Sequence, residues 1–199
     1  KTMKRQVLIL ILMMIPAIIS AQVIHVPGDQ PTIQAGINAA QDSGDTVLVD
    51  DGTYLENIDF DGKHITVASH FILDGDTNHI NNTIIDGSES SNPNEGSTVS
   101  FRNGEDSTAV LCGFTITGGT GTYVSANNIR AGGGIFILNS NPKIIHNHIT
   151  YNNVVTSNII CSGGGITVGD ATGNDGYTVI RHNRISHNMV ASEYDFAEG

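Results

Sequence analysis

The chain has 199 residues, of which 23 are glycine and none is tryptophan, and its formal net charge at pH 7 is −11. Charged residues make up 15% and hydrophobic residues 39%, which excludes a disordered chain and is typical of a β-structure with many turns. The excess of acidic residues excludes nucleic-acid binding, because affinity for phosphates comes mainly from lysine and arginine.

The first 21 residues are predicted to be a secretory signal peptide. Lys4 and Arg5 precede an apolar run over residues 7–15, and the small residues Ser20 and Ala21 mark a cleavage point. The run is shorter than the roughly 20 apolar residues of a membrane anchor, so no stable membrane span is expected after cleavage. We expect a secreted or cell-surface protein with a mature net charge of −14, from six basic residues (nine less the three in the signal) and 20 acidic residues.

Residues 22–45 are predicted to form an N-terminal cap made of a strand and a short amphipathic helix. The strand covers residues 23–26. Ile33, Ile37 and Ala40 recur at the spacing of one helix face, with Asp29 or Gln30 at the N-cap. Such a helix would cover the apolar end of a solenoid and protect its first strand edges.

Residues 46–199 are predicted to form the coils of a parallel β-solenoid. Short strands alternate with Gly, Asn and Asp turns, and equivalent residues recur at fixed spacing. Two apolar columns align at offsets of 33 and 36 residues: Leu111, Ile144, Ile180 and Ile116, Ile149, Ile185. A β-sandwich gives no reason for such a repeat, whereas stacked coils place equivalent residues above one another.

Asparagines are predicted to stand at the corners of the coils, in left-handed backbone conformation and with their side chains in hydrogen-bonded ladders. The two corner columns are Phe114, Asn147, Asn183 and Gly119, Asn152, Asn188. Three segments rich in Gly, Asn, Thr and Ser are expected to project as loops: residues 120–131, 153–162 and 169–176. Cys112 and Cys161 lie on different coils, and the sequence leaves open whether they form a disulfide or stay free thiols.

These features resemble the right-handed parallel β-helix proteins of the pectin-lyase-like superfamily. The resemblance covers residues 23–190 and implies an all-β, right-handed parallel β-helix with a short N-terminal capping helix. It rests on two features. One is the opening, which covers residues 31–41, 44–49 and 52–58. The other is the repeat Asn-x-Ile-x-x-Asn, found at residues 147–152 and 183–188. This scaffold carries lyases, hydrolases, esterases and non-enzymatic surface proteins, so it implies no single activity. By family analogy, calcium is a candidate cofactor and a polysaccharide the expected partner.

The catalytic signatures of that superfamily are missing from the sequence. The Asn-Thr-Asp, Gly-His-Gly and Arg-Ile-Lys blocks of polygalacturonase-like enzymes have no counterpart, nor do the acid clusters of pectate-lyase-like enzymes or the strand motifs of pectinesterase-like enzymes. The acidic pair Asp50 and Asp51 precedes Gly-Thr-Tyr and is predicted to form a turn. Asp74 and Asp76, which flank Gly75, are also interpreted as a turn rather than a calcium loop.

One group of residues is a candidate ligand-binding site: His146, Arg181, His182 and Arg184. His146 and His182 share a column, and stacked histidines beside arginines could bind a sugar acid. Solvated ladder positions are the alternative, and no metal site is predicted, because no third ligand can be identified. Alternation counted forward from Ile144 points His146 inward, whereas counting back from Ile149 points it outward.

Two functional hypotheses follow. The first is a secreted or cell-surface scaffold that contacts carbohydrate or is adhesive, with no complete catalytic site in this segment. The alternative is a polysaccharide-degrading enzyme (a lyase, a glycoside hydrolase or a pectinesterase-like enzyme) whose active site lies downstream or is unrecognised. The sequence shows no second cap after residue 190, and solenoids need caps at both ends. We therefore expect the N-terminal part of a longer protein; the sequence predicts no oligomeric state.

Overall fold

The computed structural model describes residues 21–41, 44–157, 159–170 and 176–193. Apart from Ala21, the predicted signal peptide lies outside these ranges. Strands make up 44% of the structure and helices 10%, and the strands stack in parallel sheets that wind about four turns of a β-solenoid. The predicted fold class is confirmed, while the right-handed sense of the winding stays a prediction.

Three parallel sheets form the walls of the solenoid, and each complete turn, here called a coil, contributes one strand to each wall. Strands are numbered along the chain. The six-stranded sheet contains β1 (Val23–Val26), β2 (Thr46–Val49), β5 (Thr66–Ser69), β9 (Val110–Cys112), β14 (Lys143–Ile145) and β19 (Val179–Arg181). The five-stranded sheet contains β3 (Gly52–Leu55), β6 (Thr83–Asp86), β10 (Thr115–Thr117), β15 (His148–Thr150) and β20 (Arg184–Ser186). The third wall contains β4 (Ile58–Asp59), β8 (Val99–Phe101), β13 (Ile135–Leu138) and β18 (Ile166–Gly169).

Two of the three segments predicted to be loops contain strands instead. A lateral sheet is built from β7 (Glu95–Gly96), β11 (Gly121–Val124), β12 (Ile129–Ala131) and β17 (Ile160–Ser162). In it β11 and β12 form an antiparallel hairpin. A two-stranded parallel sheet pairs β16 (Asn153–Ser157) with β21 (Met189–Glu193). The loop prediction for 120–131 and 153–162 was wrong because it rested on composition, and backbone pairing with adjacent coils overrides weak strand propensity. Of 169–176, residues 171–175 lie outside the described ranges.

The core consists of apolar columns that run through successive coils. Leu111 pairs with Ile144 and Ile144 with Ile180, and the second predicted column pairs Ile116, Ile149 and Ile185 in the same way. Both predicted registers are confirmed. The largest fully buried side chains include Phe60, Phe101 and Phe114. Burial of these columns supplies the main favourable free energy of folding.

The asparagine ladders are confirmed, but the left-handed angles fall one residue earlier than predicted. Asn147 Oδ1 accepts a hydrogen bond from the Phe114 N–H at 3.0 Å, and the Asn147 N–H donates to Asn183 Oδ1 at 2.8 Å. The residues with φ of 56° and 58° are His146 and His182, directly before these asparagines. The asparagine side chain hydrogen-bonds to the neighbouring coil, and the residue before it adopts the left-handed conformation that makes the sharp turn.

The N-terminal end is covered by β1 and by helix α1 (Ile33–Ala39), whose Ile33 and Ile37 are buried. The N-cap is Thr32, not Asp29 or Gln30: Thr32 Oγ1 accepts from the Ala35 N–H at 3.1 Å. Glu56 reinforces the cap, because its carboxylate accepts from the N–H groups of Ile33 and Gln34 at 2.9 and 3.0 Å. The helix begins at its first apolar residue, so the N-cap is the residue directly before Ile33 and not the earlier Asp or Gln.

Two one-turn helices, α2 (Phe71–Asp74) and α3 (Asn78–Asn82), form an insert between β5 and β6 that was not predicted. Neither helix buries a residue, so the sequence carries no apolar period there that could reveal them. Gly75 ends α2 in left-handed conformation with φ of 75°. The insert stands beside the corner that carries His146.

Both cysteines are free thiols. Cys112 lies on the six-stranded sheet and Cys161 on the lateral sheet, which answers the question that the sequence left open. Burial raises the pKa of the Cys112 thiol to about 11. None of the helices within the described residues has the length and apolarity needed to cross a membrane.

Candidate functional site

His146 and His182 occupy the same corner in successive coils, between the six-stranded and the five-stranded sheets. Their left-handed backbone angles break the alternation of inward and outward side chains, so neither count from the sequence could fix their direction. His146 is half-buried and His182 is exposed. In the preceding coil Gly113 takes this position, with φ of 86°.

The two imidazoles extend an aromatic stack that begins in the insert. The ring of Phe71 lies 5.0 Å from that of His146, and the His146 ring lies 4.9 Å from the His182 ring at an interplanar angle of 15°. A side chain on Gly113 would meet the Phe71 Cβ at 3.0 Å, so Phe71 occupies the place that a third corner ring would fill. The stack holds both imidazoles in a defined orientation.

An imidazole groove of about 300 Å³ opens where this corner meets the insert. Its floor belongs to the coils and one wall to α3. Arg184 and His148 lie side by side in it, because β15 and β20 pair with these two residues in register. The lining residues are Thr77, Ile80, Asn81, His146, Asn147, His148, His182 and Arg184.

The structure brings three of the four predicted site residues together and leaves Arg181 apart. Arg181 lies on β19 in register with Ile145 on the six-stranded sheet and does not line the groove. His148 also lines the groove, although it was not among the predicted site residues. The signal for His148 was its place one strand position beyond the corner asparagine, in the same column as Arg184.

Burial and neighbouring positive charge lower the pKa values of two groove imidazoles, those of His146 and His148. Burial first, and then His182, lowers the pKa of His146. For His148 burial again comes first, followed by the positive charges of Arg184 and His187, and the pKa is lowered. The Arg184 guanidinium is charged at every accessible pH. The groove therefore carries one permanent positive charge and gains more as the pH falls.

Among the described residues, no carboxylate lines the groove, although the chain as a whole carries 20 acidic residues. The ion pairs found between described side chains use other cations, namely His64, His70, His79 and Arg102. The Arg184 guanidinium is thus not neutralised by any of these pairs. A cation in this condition attracts an external anion, and a planar guanidinium suits a carboxylate.

The insert that forms the groove wall is held against the coils by a histidine–aspartate latch. His70 Nε2 lies 2.8 Å from Asp50 Oδ1, and His79 Nδ1 lies 2.7 Å from Asp51 Oδ1. Thr115 Oγ1 also donates to the backbone oxygen of Ile80 at 2.8 Å. The predicted acidic turn at Asp50 and Asp51 thus has a further role, which is to bind the insert.

The aspartates considered for calcium make local contacts. Asp74 Oδ1 accepts a hydrogen bond from the Asp76 N–H at 2.8 Å, closing a short turn, and Asp74 Oδ2 lies 3.4 Å from His79 Nε2. Among the described residues, no group of three or more His, Cys, Asp or Glu side chains is arranged to hold a metal ion. Calcium therefore stays a suggestion of the resemblance, without a site in the described ranges.

Comparison with known proteins does not identify a family for this chain. No protein-family profile matches it, and no curated protein is significantly similar to it.

Proposed function

We propose that this protein is a secreted or cell-surface β-helix of the pectin-lyase-like type that binds an acidic polysaccharide in the imidazole groove. The observation that carries the proposal is the composition of the groove: its described lining has three imidazoles and one guanidinium but no carboxylate. The ligand class that fits these groups is a glycan with carboxylate-bearing sugars. The alternative of a polysaccharide-degrading enzyme rests on the resemblance alone.

The overall charge of the chain makes this groove selective. A net charge of −11 repels a polyanion from most of the surface, so an acidic glycan is favoured only where positive charge is concentrated. Because the pKa values of His146 and His148 are lowered, the groove becomes more positive as the pH falls through those values. We expect affinity for the glycan to rise at acid pH and to fall with added salt.

Calorimetry with polygalacturonate at about pH 5 and about pH 8, values on either side of the ordinary histidine pKa, tests the proposal. The full chain should bind more tightly at the lower pH. Arg184→Gln should weaken binding about tenfold, the equivalent of one charge-assisted hydrogen bond. Arg181→Gln is the matched control: it removes an arginine three residues away, on the neighbouring sheet and outside the groove, and should leave binding unchanged.

Two results would overturn this function. One is the absence of polygalacturonate binding at either pH. The other is equal loss of affinity in the Arg184→Gln and Arg181→Gln variants, which would mean that general charge rather than the groove attracts the polymer. A neutral glucose polymer should not bind at either pH, because it offers the arginine no anion.

A further inference from the structure

A second pair of stacked rings stands at the opposite corner of the same strands. Tyr151 and His187 lie in left-handed conformation with φ of 55° each, and their ring centroids are 5.1 Å apart at an interplanar angle of 20°. Tyr151 is 61% exposed, so much of the ring meets solvent. This pair takes part in none of the contacts that build the imidazole groove.

At the first corner, the ring of Phe71 lies over the two stacked imidazoles. Among the described residues, no ring takes the corresponding place over Tyr151 and His187. Gly118 precedes Tyr151 in the column, since the Gly118 N–H approaches the Tyr151 oxygen at 3.4 Å. A side chain at Gly118 would collide with Asp86 and Ser88, and neither of these residues supplies a ring. The corner therefore presents an exposed aromatic ring that stacks on His187.

The two corners belong to one continuous face. His146 and Tyr151 are five residues apart, which is about 16 Å along an extended strand and enough for more than one sugar ring. His148 lies between them in the sequence and pairs in register with Arg184 of the next coil. A glycan held by its carboxylate in the groove thus reaches the second corner if it runs along the strands.

We propose that Tyr151 and His187 form a second glycan subsite, at which the C–H face of a sugar ring stacks on the tyrosine. The weakly negative face of an aromatic ring suits the polarised C–H bonds of a pyranose. This subsite rests on the proposed function and adds a direction to it: the bound chain lies along β15 and β20, across the solenoid axis. Short ligands would occupy the groove alone, and longer ones would also cover Tyr151.

Calorimetry with galacturonate disaccharide and hexasaccharide tests the subsite. The full chain should bind the hexasaccharide more tightly than the disaccharide. Tyr151→Asn removes the ring but keeps a residue that tolerates left-handed angles, and it should weaken hexasaccharide binding about three- to tenfold while leaving disaccharide binding unchanged. Tyr151→Phe should bind both ligands like the original chain, because stacking does not need the hydroxyl.

The outcomes separate the two proposals. If Tyr151→Asn binds both lengths like the original chain, the subsite is wrong and the groove stands. If Tyr151→Phe loses as much as Tyr151→Asn, ring stacking is wrong. If the original chain binds neither oligosaccharide, the proposed function fails and the subsite with it. Urea midpoints of all variants should agree, which shows that lost affinity does not reflect unfolding.

Discussion

Asn152 is the residue on which the second corner depends. Its side chain is fully buried, its Oδ1 accepts from the Gly119 N–H at 3.0 Å, and its Nδ2 donates to the Ile116 oxygen at 3.0 Å. One asparagine thus satisfies backbone groups of the preceding coil at a turn where strand pairing is interrupted. A buried amide left without a partner costs about 1–3 kcal/mol.

We expect Asn152→Ala to lower the free energy of unfolding by about 3 kcal/mol, because it leaves a donor and an acceptor of the preceding coil without partners. Urea denaturation followed by circular dichroism measures this. Asn153→Ala is the control: the neighbouring asparagine is exposed and its loss should change stability by less than about 0.5 kcal/mol. Equal effects of the two substitutions would contradict the ladder.

For single residues, the sequence predicts the roles of those that recur at equivalent positions in successive coils. Asn147 and Asn152 were identified as ladder residues because a stacked fold places equivalent residues above one another. The direction of the His146 ring could not be predicted, since one left-handed residue cancels the alternation on which the count depends. The stacking of Tyr151 on His187 in the next coil could not be predicted for the same reason, since both residues are left-handed corner residues.

Among the elements, we expect the α2–α3 insert to respond to pH. His79 Nδ1 faces Asp51 at 2.7 Å, and its Nε2 faces Asp74 at 3.4 Å. A neutral imidazole has only one N–H, so only the protonated ring can donate a hydrogen bond to each of the two aspartates. The hydrogen bond to Asp51 is the main reason that the pKa of His79 is raised, and the same bond chiefly lowers the pKa of Asp51.

The sign of the pH dependence follows from these shifts. Because the pKa of His79 is higher in the folded chain, its contribution is complete below about pH 6.5, the unfolded value, and is lost as the pH rises through the folded pKa. The contribution of Asp51 is present above about pH 3.9 and is lost as the pH falls through its lowered folded value. The pair therefore holds the insert best between these limits. A second imidazole of the latch, that of His70, lies 5.6 Å from the His79 ring.

We expect protease cleavage within the insert to be slow at about pH 5.5 and severalfold faster at about pH 9, in keeping with the modest free energy of a partly exposed ion pair. His79→Gln should make cleavage fast at both values. His25→Gln, a histidine on β1 outside the latch, should behave like the original chain. If the cleavage rate of the original chain is the same at both pH values, the latch does not hold the insert.

The elements that sequence analysis missed are those without a period of their own. Strand β1 was predicted with its observed bounds, residues 23–26, because turn residues follow its short apolar run directly. The one-turn helices α2 and α3 bury no residue, and each is too short for its apolar residues to show a helical period. The hairpin β11–β12 likewise owes its strands to partners in β7 and β17, which lie far away in the sequence.

For the molecule as a whole, stacking makes stability depend on position along the solenoid axis. Each coil contacts only its neighbours, so a column residue between two coils is better supported than one at the last described coil. Ile116 is fully buried, whereas Ile185, two coils on in the same column, is 51% exposed. The same side chain therefore buries very different apolar areas at the two places.

We expect Ile116→Ala to lower the free energy of unfolding by about 2–5 kcal/mol, the cost of a cavity in a packed core. Ile185→Ala should cost less than about 1 kcal/mol, because about half of its side chain already meets water. Hydrogen exchange should give the slowest amides in β9, β10 and β14 and faster ones in β19 and β20. Equal costs at Ile116 and Ile185 would mean that the end of the column is covered in solution, and the exchange rates of β20 would then match those of β10.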